Sequence, residues 1–565
     1  MRHDGRPCPA PERLNSPNPA LVTQRAAQRL PRVALLLFCA AYLLPGLVGR
    51  DPWKNADVSA FGHMASIASG RSGWLSPSVG GLPADVALVP YWLGAAAIKL
   101  FGGLLDPALA ARLPFALLLA LVLVLSWYAS YHLARTDAAQ PLPFAFGGEA
   151  HPVDYARAIA DGALLAVMAT LGLLQLGHET TPELVQLAGA ALFLYGLAAA
   201  PFRIGAARAA LIAALPLMAA SGAPAIAAGL GTVGTLICAR SAYAPVRRSV
   251  PWVAGATLLA VVLGLALHAW AWRVGGLDGA ASLLGIVRLL AWFTWPAWPL
   301  ALWTLWRWRS HWLHRHISVP LGSAAVPLAA CIAMGGSDRA LMLAVPALAA
   351  LAAFALPTLQ RSAAAAIDWF SVFFFSACAL VIWVVYAAMQ TGVPAKPAAN
   401  VARLAPGFVP VFSAVALVAA LAGTLAWLWL VRWRTGRNRH PLWKSLVLPA
   451  GGVALCWLLL MTLWLPLLDH ARSYRSVVAR IAEQAAPDSC VAAPQMPRSL
   501  LASLEAMGGL KVDAITPADT TPCDLLLRAE RGGADDQLPG WTLQARLPRP
   551  TSRDDVTLMY RRAPR

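Results

Sequence analysis

Residues 108–133 read ALAARLPFALLLALVLVLSWYASYHL, and Arg112 is the one member of this stretch that is always charged. A helix of that length is about 39 Å long at 1.5 Å per residue. The hydrocarbon core of a bilayer is only ~30 Å thick. The stretch therefore predicts a membrane-spanning helix, and it decides the class of fold to expect.

Apolar stretches of this kind recur along most of the 565-residue chain. Hydrophobic residues make up 58% of the sequence, charged residues make up 13%, and the mean hydropathy is +0.59. Soluble domains carry about a quarter charged residues, and one soluble domain has no interior that could bury so many apolar runs. We therefore predict an all-α polytopic membrane protein.

About thirteen membrane spans are predicted when the block 206–238 is counted once. That block fits one long span or two short ones, and an odd total places the two ends of the chain on opposite faces of the membrane. The predicted spans cover residues 33–49, 87–102, 108–133, 158–176, 183–200, 206–238, 252–272, 284–306, 318–335, 339–357, 367–389, 410–431 and 444–467.

The net charge of +18 is distributed as in a membrane protein. Arginines cluster in short loops between spans, within 203–208, 247–248, 307–315 and 432–439. This is the positive-inside pattern, so the basic charge reflects membrane topology and not nucleic-acid binding. Residues 1–32 carry arginines and prolines without an apolar run, and they predict a disordered cytoplasmic tail, not a signal peptide.

Two polar segments lie outside the spans of the transmembrane domain, 33–469. Residues 50–86 form a polar and amphipathic loop, predicted to face outside. Residues 470–565 carry charges of both signs and predict a small α/β domain, with helices near 472–485 and 497–508 followed by strands.

The two cysteines of the C-terminal domain, Cys490 and Cys523, stand apart from the others. The remaining cysteines are scattered in the tail and in or beside spans, where cysteine behaves as a small hydrophobe. A pair within one small domain fits a disulfide in an oxidising compartment better than two unlinked thiols. The C-terminal domain is therefore predicted to be periplasmic, which agrees with a cytoplasmic N-terminus and an odd number of spans.

Several short motifs follow one another in the first external loop and the helices after it: 69-SGRSGW-74, 91-YWLGA-95, 99-KLFG-102 and 111-ARLP-114. Their order and spacing resemble the start of the GT-C membrane glycosyltransferases. The resemblance is to the bacterial group that holds the protein O-mannosyltransferases and the lipid A aminoarabinose transferase (glycosyltransferase family 39-like). It implies a GT-C transmembrane domain followed by a small external C-terminal domain.

The chain departs from that group at two acidic motifs. Where the group has an Asp-Glu pair, this chain reads Ala56-Asp57, and where it has Glu-Lys-Pro-Pro, this chain reads 85-DVAL-88. One acid of the first pair is therefore missing, and Asp85 keeps the charge of the second motif on a shorter side chain.

GT-C enzymes take a sugar from a polyprenyl-phosphate carrier, so the resemblance implies carboxylates at the external membrane surface. Asp57 is the predicted catalytic base, and Asp85 is a second acid or a metal ligand. Asp161, which follows an Ala-Arg stretch, resembles an acid that opens a span in the group. The simpler interpretations are a solvated loop acid for Asp57, an N-cap for Asp85 and a helix-dipole partner for Asp161.

Three further residues are predicted to bind substrate. Arg339 resembles the group's arginine that precedes a proline-containing span, which implies that its bidentate guanidinium faces the donor phosphate; an ordinary interfacial arginine is the alternative. Lys54 could face a lipid phosphate, although an interfacial lysine more often snorkels. Asp51 could bind substrate, although pairing with Arg50 or Lys54 is the simpler role.

Other polar residues receive simpler interpretations. His63 could join Asp85 in a metal site but would more often only hydrogen-bond within the loop. His268 could belong to the site or to an interfacial belt of tryptophans. Arg112 is interpreted as a topology charge in a short cytoplasmic turn. No cofactor is predicted with certainty, and a divalent metal ion is the one to test.

The leading hypothesis is an inner-membrane glycosyltransferase that acts on the periplasmic side. It would move a sugar from a polyprenyl-phosphate donor to lipid A, a protein or another envelope glycan. The alternative is a catalytically degenerate GT-C-like protein that binds polyprenyl lipids or scaffolds envelope enzymes. A secondary transporter is weaker, because most spans lack interior charges and no paired repeat halves are visible.

Overall fold

The computed structural model describes residues 19–84, 87–270, 275, 280–436, 441–485, 489–530, 538–551 and 555–563. Helices dominate these residues, a two-stranded sheet lies in the external loop, and a five-stranded sheet lies in the C-terminal part of the chain. The described helices of the first half are α1 (Arg32–Leu43), α2 (Ala56–Ala68), α3 (Leu88–Phe101), α4 (Pro107–Ala134), α5 (Pro152–Ala169), α6 (Leu173–Leu176), α7 (Pro182–Ala199), α8 (Ile204–Ala220), α9 (Pro224–Ala239), α10 (Ala244–Arg247) and α11 (Val250–Ala266).

The second half of the chain continues the helical bundle and then enters the C-terminal domain. Its helices are α12 (Ala280–Phe293), α13 (Ala297–Arg307), α14 (Arg315–Ala333), α15 (Asp338–Met342), α16 (Val345–Ala353), α17 (Arg361–Thr391), α18 (Ala395–Leu404), α19 (Ala414–Thr435), α20 (Lys444–Leu463), α21 (Leu465–Arg472), α22 (Arg475–Ala482) and α23 (Arg498–Ala506). The strands of the chain are β1 (Ser78–Val79), β2 (Leu82–Pro83), β3 (Cys490–Ala492), β4 (Lys511–Asp513), β5 (Leu525–Ala529), β6 (Trp541–Pro548) and β7 (Val556–Arg562).

Many of these helices have the length and composition of membrane spans. Within the described residues, seven helical segments are long and apolar enough to cross a bilayer, and there are eight if the pair α12–α13, bent by 91°, counts as one span. Several shorter apolar helices, α1, α8 and α9 among them, belong to the same bundle. The chain is therefore a multi-pass membrane protein, while the count of thirteen spans stays a prediction.

The bundle has two ends, which the course of α1 defines. We call the end of the bundle near Leu30, which precedes α1, the tail end. We call the end of the bundle near Asp57, which follows α1, the site end. Helix α4 begins at the site end, where the Arg112 side chain approaches the carbonyl oxygen of Leu47. The chain then reaches the tail end, because the backbone of residue 142 hydrogen-bonds to that of Ala20.

The segment 87–102, predicted as a span, is the helix α3 with both ends at the site end. Ala84, just before α3, lines a cavity together with Arg339, and α4 starts again at the site end after a short loop. Helix α3 packs on α2, where a Cβ at Gly94 would lie 2.2 Å from the sulfur of Met64. Its apolar residues therefore cover another helix, and hydropathy alone cannot distinguish such a helix from a span.

The block 206–238 forms two helices, α8 and α9. They pack against each other across a turn at Gly222, whose φ of +90° suits glycine. Of the two readings that the sequence leaves open, the structure therefore has two helices.

Residues 19–31, which fall in the predicted disordered tail, pack against the tail end of the bundle. Ala20, Val22 and Leu30 are buried, and the indole of Trp443 donates to the carbonyl oxygen of Gln28 at 2.7 Å. The preceding residues, 1–18, lie outside the described part of the chain.

The C-terminal domain contains a five-stranded sheet in the order β4-β3-β5-β7-β6. Strand β3 is parallel to β4 and β5, whereas β7 is antiparallel to β5 and β6. Cys490 and Cys523 form a disulfide with their Cα atoms 5.0 Å apart. The predicted helices near 472–485 and 497–508 correspond to α22 and α23.

The external loop lies between the helical bundle and the C-terminal domain. Gly62 on α2 packs so closely on α23 that an added Cβ would lie 2.4 Å from that of Ala502. The backbone N–H of Gly80 donates to the Glu505 carboxylate at 2.8 Å, and the N–H of Ala514 donates to the Gly80 carbonyl at 2.9 Å. The domain thus covers the loop and holds it on the bundle.

Candidate functional site

Asp57 lies in the first turn of α2 with only 1% of its surface exposed. One carboxylate oxygen accepts hydrogen bonds from the backbone N–H and the hydroxyl of Thr180, both at 2.8 Å. The other accepts from the backbone N–H of Trp53 at 3.1 Å and lies 3.6 Å from Arg50 Nη2. The last distance is too long for a hydrogen bond, so Arg50 balances the buried carboxylate mainly by its charge.

Arg50 and Arg112 are buried cations on either side of this carboxylate, with 2% and 4% of their surfaces exposed. Arg50 donates to the carbonyl oxygen of His178 at 2.6 Å. Both guanidinium groups keep donors without a partner in the described part of the chain. No residue that the structure describes accepts a hydrogen bond from Nε and Nη1 of Arg50 or from Nε and Nη2 of Arg112. Buried donors in this condition are rare, and they suit an additional anionic or water ligand.

The sequence placed Arg112 in a short turn at the opposite end of the bundle from Asp57, and the structure does not place it there. The residue is near enough to Arg50 and Asp57 for their charges to act on it, so it belongs to the site end. The sequence favoured the opposite face because α3 was counted as a span, which reverses the direction assigned to α4.

The pKa values of Asp57 and Glu179 are shifted in opposite directions. Burial alone would raise the pKa of Asp57, but Arg50, Arg112 and two backbone N–H donors together hold it below its ordinary value. The pKa of Glu179 is raised by burial and by the neighbouring charge of Asp57, which outweigh the effect of Arg339. Two interacting carboxylates with separated pKa values are typical of functional sites.

Arg339, on the short helix α15, is held by two carboxylates. Its Nη2 lies 2.7 Å from Glu179, and its Nη1 lies 3.2 Å from Glu183. Both acids lie in the segment that leads into α7. Because Asp57 is hydrogen-bonded to the same segment, residues 179–183 connect Asp57 to Arg339. Gln175 extends the network, because its amide nitrogen donates to Glu179 at 2.9 Å and its amide oxygen accepts from Arg472 at 2.7 Å.

Arg339 and Glu183 lie on the wall of a cavity of about 510 Å³ at the site end. The cavity opens between the ends of α9, α11 and α14, and the C-terminal domain contributes one basic residue to it. Its lining residues include Pro83, Ala84, Glu183, His268, Trp270, Arg339 and Arg498. The cavity thus combines apolar walls with a few convergent charged groups, which is the usual character of a small-molecule site.

A second polar group surrounds Trp53, next to Asp57. The indole N–H of Trp53 donates to Asp469 at 2.7 Å, and the guanidinium groups of Arg50 and Arg472 both lie 4.9 Å from its ring centroid. Burial, reinforced by the neighbouring Asp51, raises the pKa of Asp469 to about 6. This group fixes α21 against the external loop.

Asp51 and Lys54 lie on the outer side of that group. Asp51 pairs with Arg475 of α22, with the shortest contact at 2.5 Å, and not with Arg50 or Lys54 as the sequence suggested. Lys54 is exposed, and its backbone N–H donates to the carbonyl oxygen of Arg472 at 2.8 Å. Both residues therefore join the loop to the C-terminal domain.

Asp161 lies toward the tail end, away from the other predicted site residues. It is buried on α5 and accepts from the backbone N–H of Leu30 and from the indole of Trp127, both at 2.8 Å. These contacts fix the chain where it enters α1. The geometry gives Asp161 a structural role and does not bring it to Asp57 or Arg339.

The predicted metal site receives no group of ligands from the described residues. Asp85 lies outside them, although its neighbour Ala84 lines the cavity. His63 is buried on α2 with its ring centroid 5.0 Å from that of Tyr91. No cluster of three or more His, Cys, Asp or Glu side chains in the described part of the chain could hold a metal ion.

The sequence missed Glu179, Arg50 and Asp469 as members of the site. Each contacts partners that are more than a hundred positions away in the chain, which no local motif shows. One signal was present: 177-GHETTPE-183 places two acids beside the proline that starts an apolar helix. Ionisable groups at the ends of spans are functional candidates.

The fold is similar to that of ArnT from Cupriavidus metallidurans, a protein of GT-C fold. A crystal structure of ArnT bound to undecaprenyl phosphate matches with a TM-score of 0.60 and 15% sequence identity, over 94% of this chain and 96% of that chain. The apo crystal structure matches with a TM-score of 0.59 and 16% identity over the same shares. No protein-family model and no curated protein matches the sequence. The comparison assigns a GT-C fold to the chain.

Proposed function

We propose that this protein is an integral membrane glycosyltransferase that moves a sugar from a polyprenyl-phosphate donor to an envelope acceptor on the periplasmic side. The observation that carries the proposal is Arg339, a cavity-wall cation held by Glu179 and Glu183. The similarity to ArnT, a structure of which holds undecaprenyl phosphate, supports a polyprenyl lipid as the partner.

The donor phosphate would contact Arg339 in this cavity. A guanidinium has five N–H donors, and the two carboxylates occupy two of them, so donors remain for phosphate oxygens. The acceptor oxygen attacks the anomeric carbon, and the bond from that carbon to the phosphate oxygen breaks. Polyprenyl phosphate leaves with one more negative charge, which Arg339 stabilises.

The fate of a proton depends on the acceptor. A phosphate acceptor is already ionised at neutral pH and releases none. A hydroxyl acceptor must lose its proton to a carboxylate, and Glu183 lies on the cavity wall where it could take it. Asp85, which follows Ala84 in the chain, remains the other proposed acid.

Asp57 is proposed as a positioning carboxylate, which differs from the base predicted from the sequence. Both of its oxygens already accept hydrogen bonds, and its lowered pKa makes it a weak base at neutral pH. Its hydrogen bonds to Thr180 instead fix the segment that carries Glu179, and thereby Arg339.

The proposed location is the inner membrane, with the tail end in the cytoplasm. Basic residues are concentrated at the tail end, where Arg203, Arg208, Arg240 and Arg247 lie in or beside short loops. The positive-inside rule then places the site end and the C-terminal domain in the periplasm. The disulfide of that domain fits an oxidising compartment.

The proposal is tested in a deletion strain by mass spectrometry of lipid A, envelope glycans and glycosylated proteins. Wild type should restore a sugar modification, whereas Arg339→Gln and Asp57→Asn should not. Asp51→Asn, which changes a loop carboxylate outside the cavity, is the matched control and should restore it. Size-exclusion chromatography of each variant separates lost activity from lost folding. Restoration by folded Arg339→Gln would overturn the proposal.

One observation favours a second function, polyprenyl-lipid binding without transfer. The acid that would accompany Asp57 is replaced by Ala56, and Asp57 itself is fully engaged in structural hydrogen bonds. A binding protein would retain labelled undecaprenyl phosphate after Asp57→Asn and would never yield a modified acceptor. The same strains and a lipid-binding assay therefore separate the two functions.

A further inference from the structure

The largest cavity among those described lies at the tail end, far from the proposed active site. It measures about 720 Å³ and is formed mainly between α9 and α14. Its walls are apolar, and the residues on them are Val233, Leu236, Ile237, Leu321, Gly322 and Ala325. Nothing in the proposed transfer reaction uses this cavity.

The mouth of this cavity is basic. Arg240 is exposed there, whereas Arg315, the first residue of α14, is buried, with Nη1 3.4 Å from the hydroxyl of Ser241 and Nη2 donating to the carbonyl oxygen of Leu197. Arg247 adds a third positive charge, because it donates to the carbonyl oxygen of the same Ser241 at 2.8 Å. The described lining residues include no carboxylate, so the mouth favours an anion.

The depth of the cavity indicates an anion with an apolar tail. The lining residues of α14 run from Arg315 to Ala325, ten residues or roughly 15 Å of helix. That is about half of the ~30 Å hydrocarbon core, the length available to acyl chains in one leaflet. A second apolar cavity of about 400 Å³ shares Leu321 and Ala325 with it and extends the space for acyl chains.

Trp312 gives an independent indication of depth. It lines the cavity and is 49% exposed, and the adjacent Leu313 is 90% exposed. Tryptophan is enriched at the level of lipid headgroups, so the basic mouth lies where a lipid phosphate would lie.

We propose that the cavity between α9 and α14 is a binding site for an anionic phospholipid of the tail-end leaflet. The phosphate lies against Arg240 and Arg315, and the acyl chains occupy the apolar walls. Basic pockets between helices recognise anionic lipids in this way. The proposal does not depend on transferase activity.

The test is native mass spectrometry of the full-length protein in detergent, together with thermal unfolding in the presence of added lipid. Wild type should retain phosphatidylglycerol or cardiolipin and should unfold at a higher temperature with either of them than with phosphatidylcholine. Arg240→Gln should weaken retention roughly fivefold, since one cation near a lipid phosphate contributes about 1 kcal/mol. Ser318→Trp should fill the cavity and abolish retention.

Arg309→Gln is the matched control. Arg309 is exposed, lies in the tail-end loop before α14 and does not line the cavity. It should retain lipid as wild type does. Equal retention of phosphatidylcholine, equal stabilisation by inorganic phosphate, or equal loss in Arg240→Gln and Arg309→Gln would each overturn the proposal. If Ser318→Trp does not fold, the Arg240→Gln comparison still decides.

Discussion

Asp57 and Asp161 are both buried aspartates, and their surroundings at the two ends of the bundle differ. Asp57 accepts from two backbone N–H groups and one hydroxyl, and it lies 3.6 Å from the buried guanidinium of Arg50. Asp161 accepts from one backbone N–H and one indole. No ion pair to Asp161 is found within the described ranges.

The difference shows that burial alone does not identify a functional acid. A carboxylate inside a membrane protein must be satisfied, and either neutral donors or a cation can do this. Asp57 belongs to a network of several charges that ends at a cavity, whereas Asp161 is held by two neutral donors, the backbone N–H of Leu30 and the indole of Trp127. Among buried acids, the better functional candidate is the one whose charged neighbours extend to a cavity.

The largest expected effect separates these two aspartates directly. Asp57→Asn removes the charge that compensates Arg50, and breaking a buried ion pair costs about 3–5 kcal/mol. Asp161→Asn keeps an acceptor oxygen but can turn an N–H toward a buried donor, which costs about 1–3 kcal/mol. In detergent, the unfolding temperature of Asp57→Asn should be well below that of Asp161→Asn. Equal losses would show that Arg50 does not depend on Asp57.

A second pair of changes examines the donors around each aspartate. Thr180→Val removes one hydrogen bond to the charged Asp57 and should destabilise by about 1.5–3 kcal/mol, whereas Trp127→Phe should cost about 0.5–1.5 kcal/mol. Only Thr180→Val should lower transfer, because Thr180 belongs to the segment that carries Glu179. The readout is transfer rate per folded protein, and an equal fall in Trp127→Phe would contradict the comparison.

The pH dependence of stability sharpens the comparison within the site end. The folded pKa of Asp469 is about 6, above the ordinary value near 4, so the folded state holds its proton more tightly than the unfolded state. Lowering the pH from 7 to 5 should therefore stabilise the protein by about 1 kcal/mol. Asp57 has the opposite effect on the pH dependence of stability. Its stabilising contribution is lost only as the pH falls below the ordinary pKa of an aspartate. Asp469→Asn should reduce the gain between pH 7 and 5 by about 1 kcal/mol and leave the contribution of Glu179, whose pKa is also raised; an unchanged gain would exclude Asp469 as a source.

The smallest expected effect concerns the exposed ion pair of the external loop. Arg475 is 63% exposed where it meets Asp51, and exposed pairs contribute about 0–1 kcal/mol. Arg475→Gln should therefore shift unfolding by less than about 1 kcal/mol and leave transfer unchanged. A large loss of transfer would return Asp51 to the list of substrate-binding residues.

The helical membrane fold could be predicted from apolar runs alone, but its path could not. Helix α3 is as apolar as a span, and only its packing on α2 and the position of Arg112 reveal that both its ends lie at one end of the bundle. Helices α8 and α9 are separated by a single turn at Gly222, which a continuous apolar run conceals. Hydropathy indicates that a segment lies among apolar groups. It does not show whether the segment crosses the membrane or in which direction it runs.

The site was only partly predictable. The motif order drew attention to Asp57, and the proline-containing span after Arg339 drew attention to that arginine. The structure connects the two through residues 179–183. Glu179 and Arg50 stayed unnoticed because their roles arise from contacts between distant parts of the chain. Asp161 was selected by its local motif, and its contact with Leu30 could not be read from that motif.

The cover that the C-terminal domain forms over the external loop has a consequence for how the protein is made. Residues 50–84 leave the ribosome early, yet Lys54, Gly80 and Gly62 find their partners at Arg472, Glu505 and Ala502. The first loop therefore stays uncovered until residues 472–505 have been synthesised. The site is therefore complete only when the C-terminal domain has been synthesised and has packed on the loop.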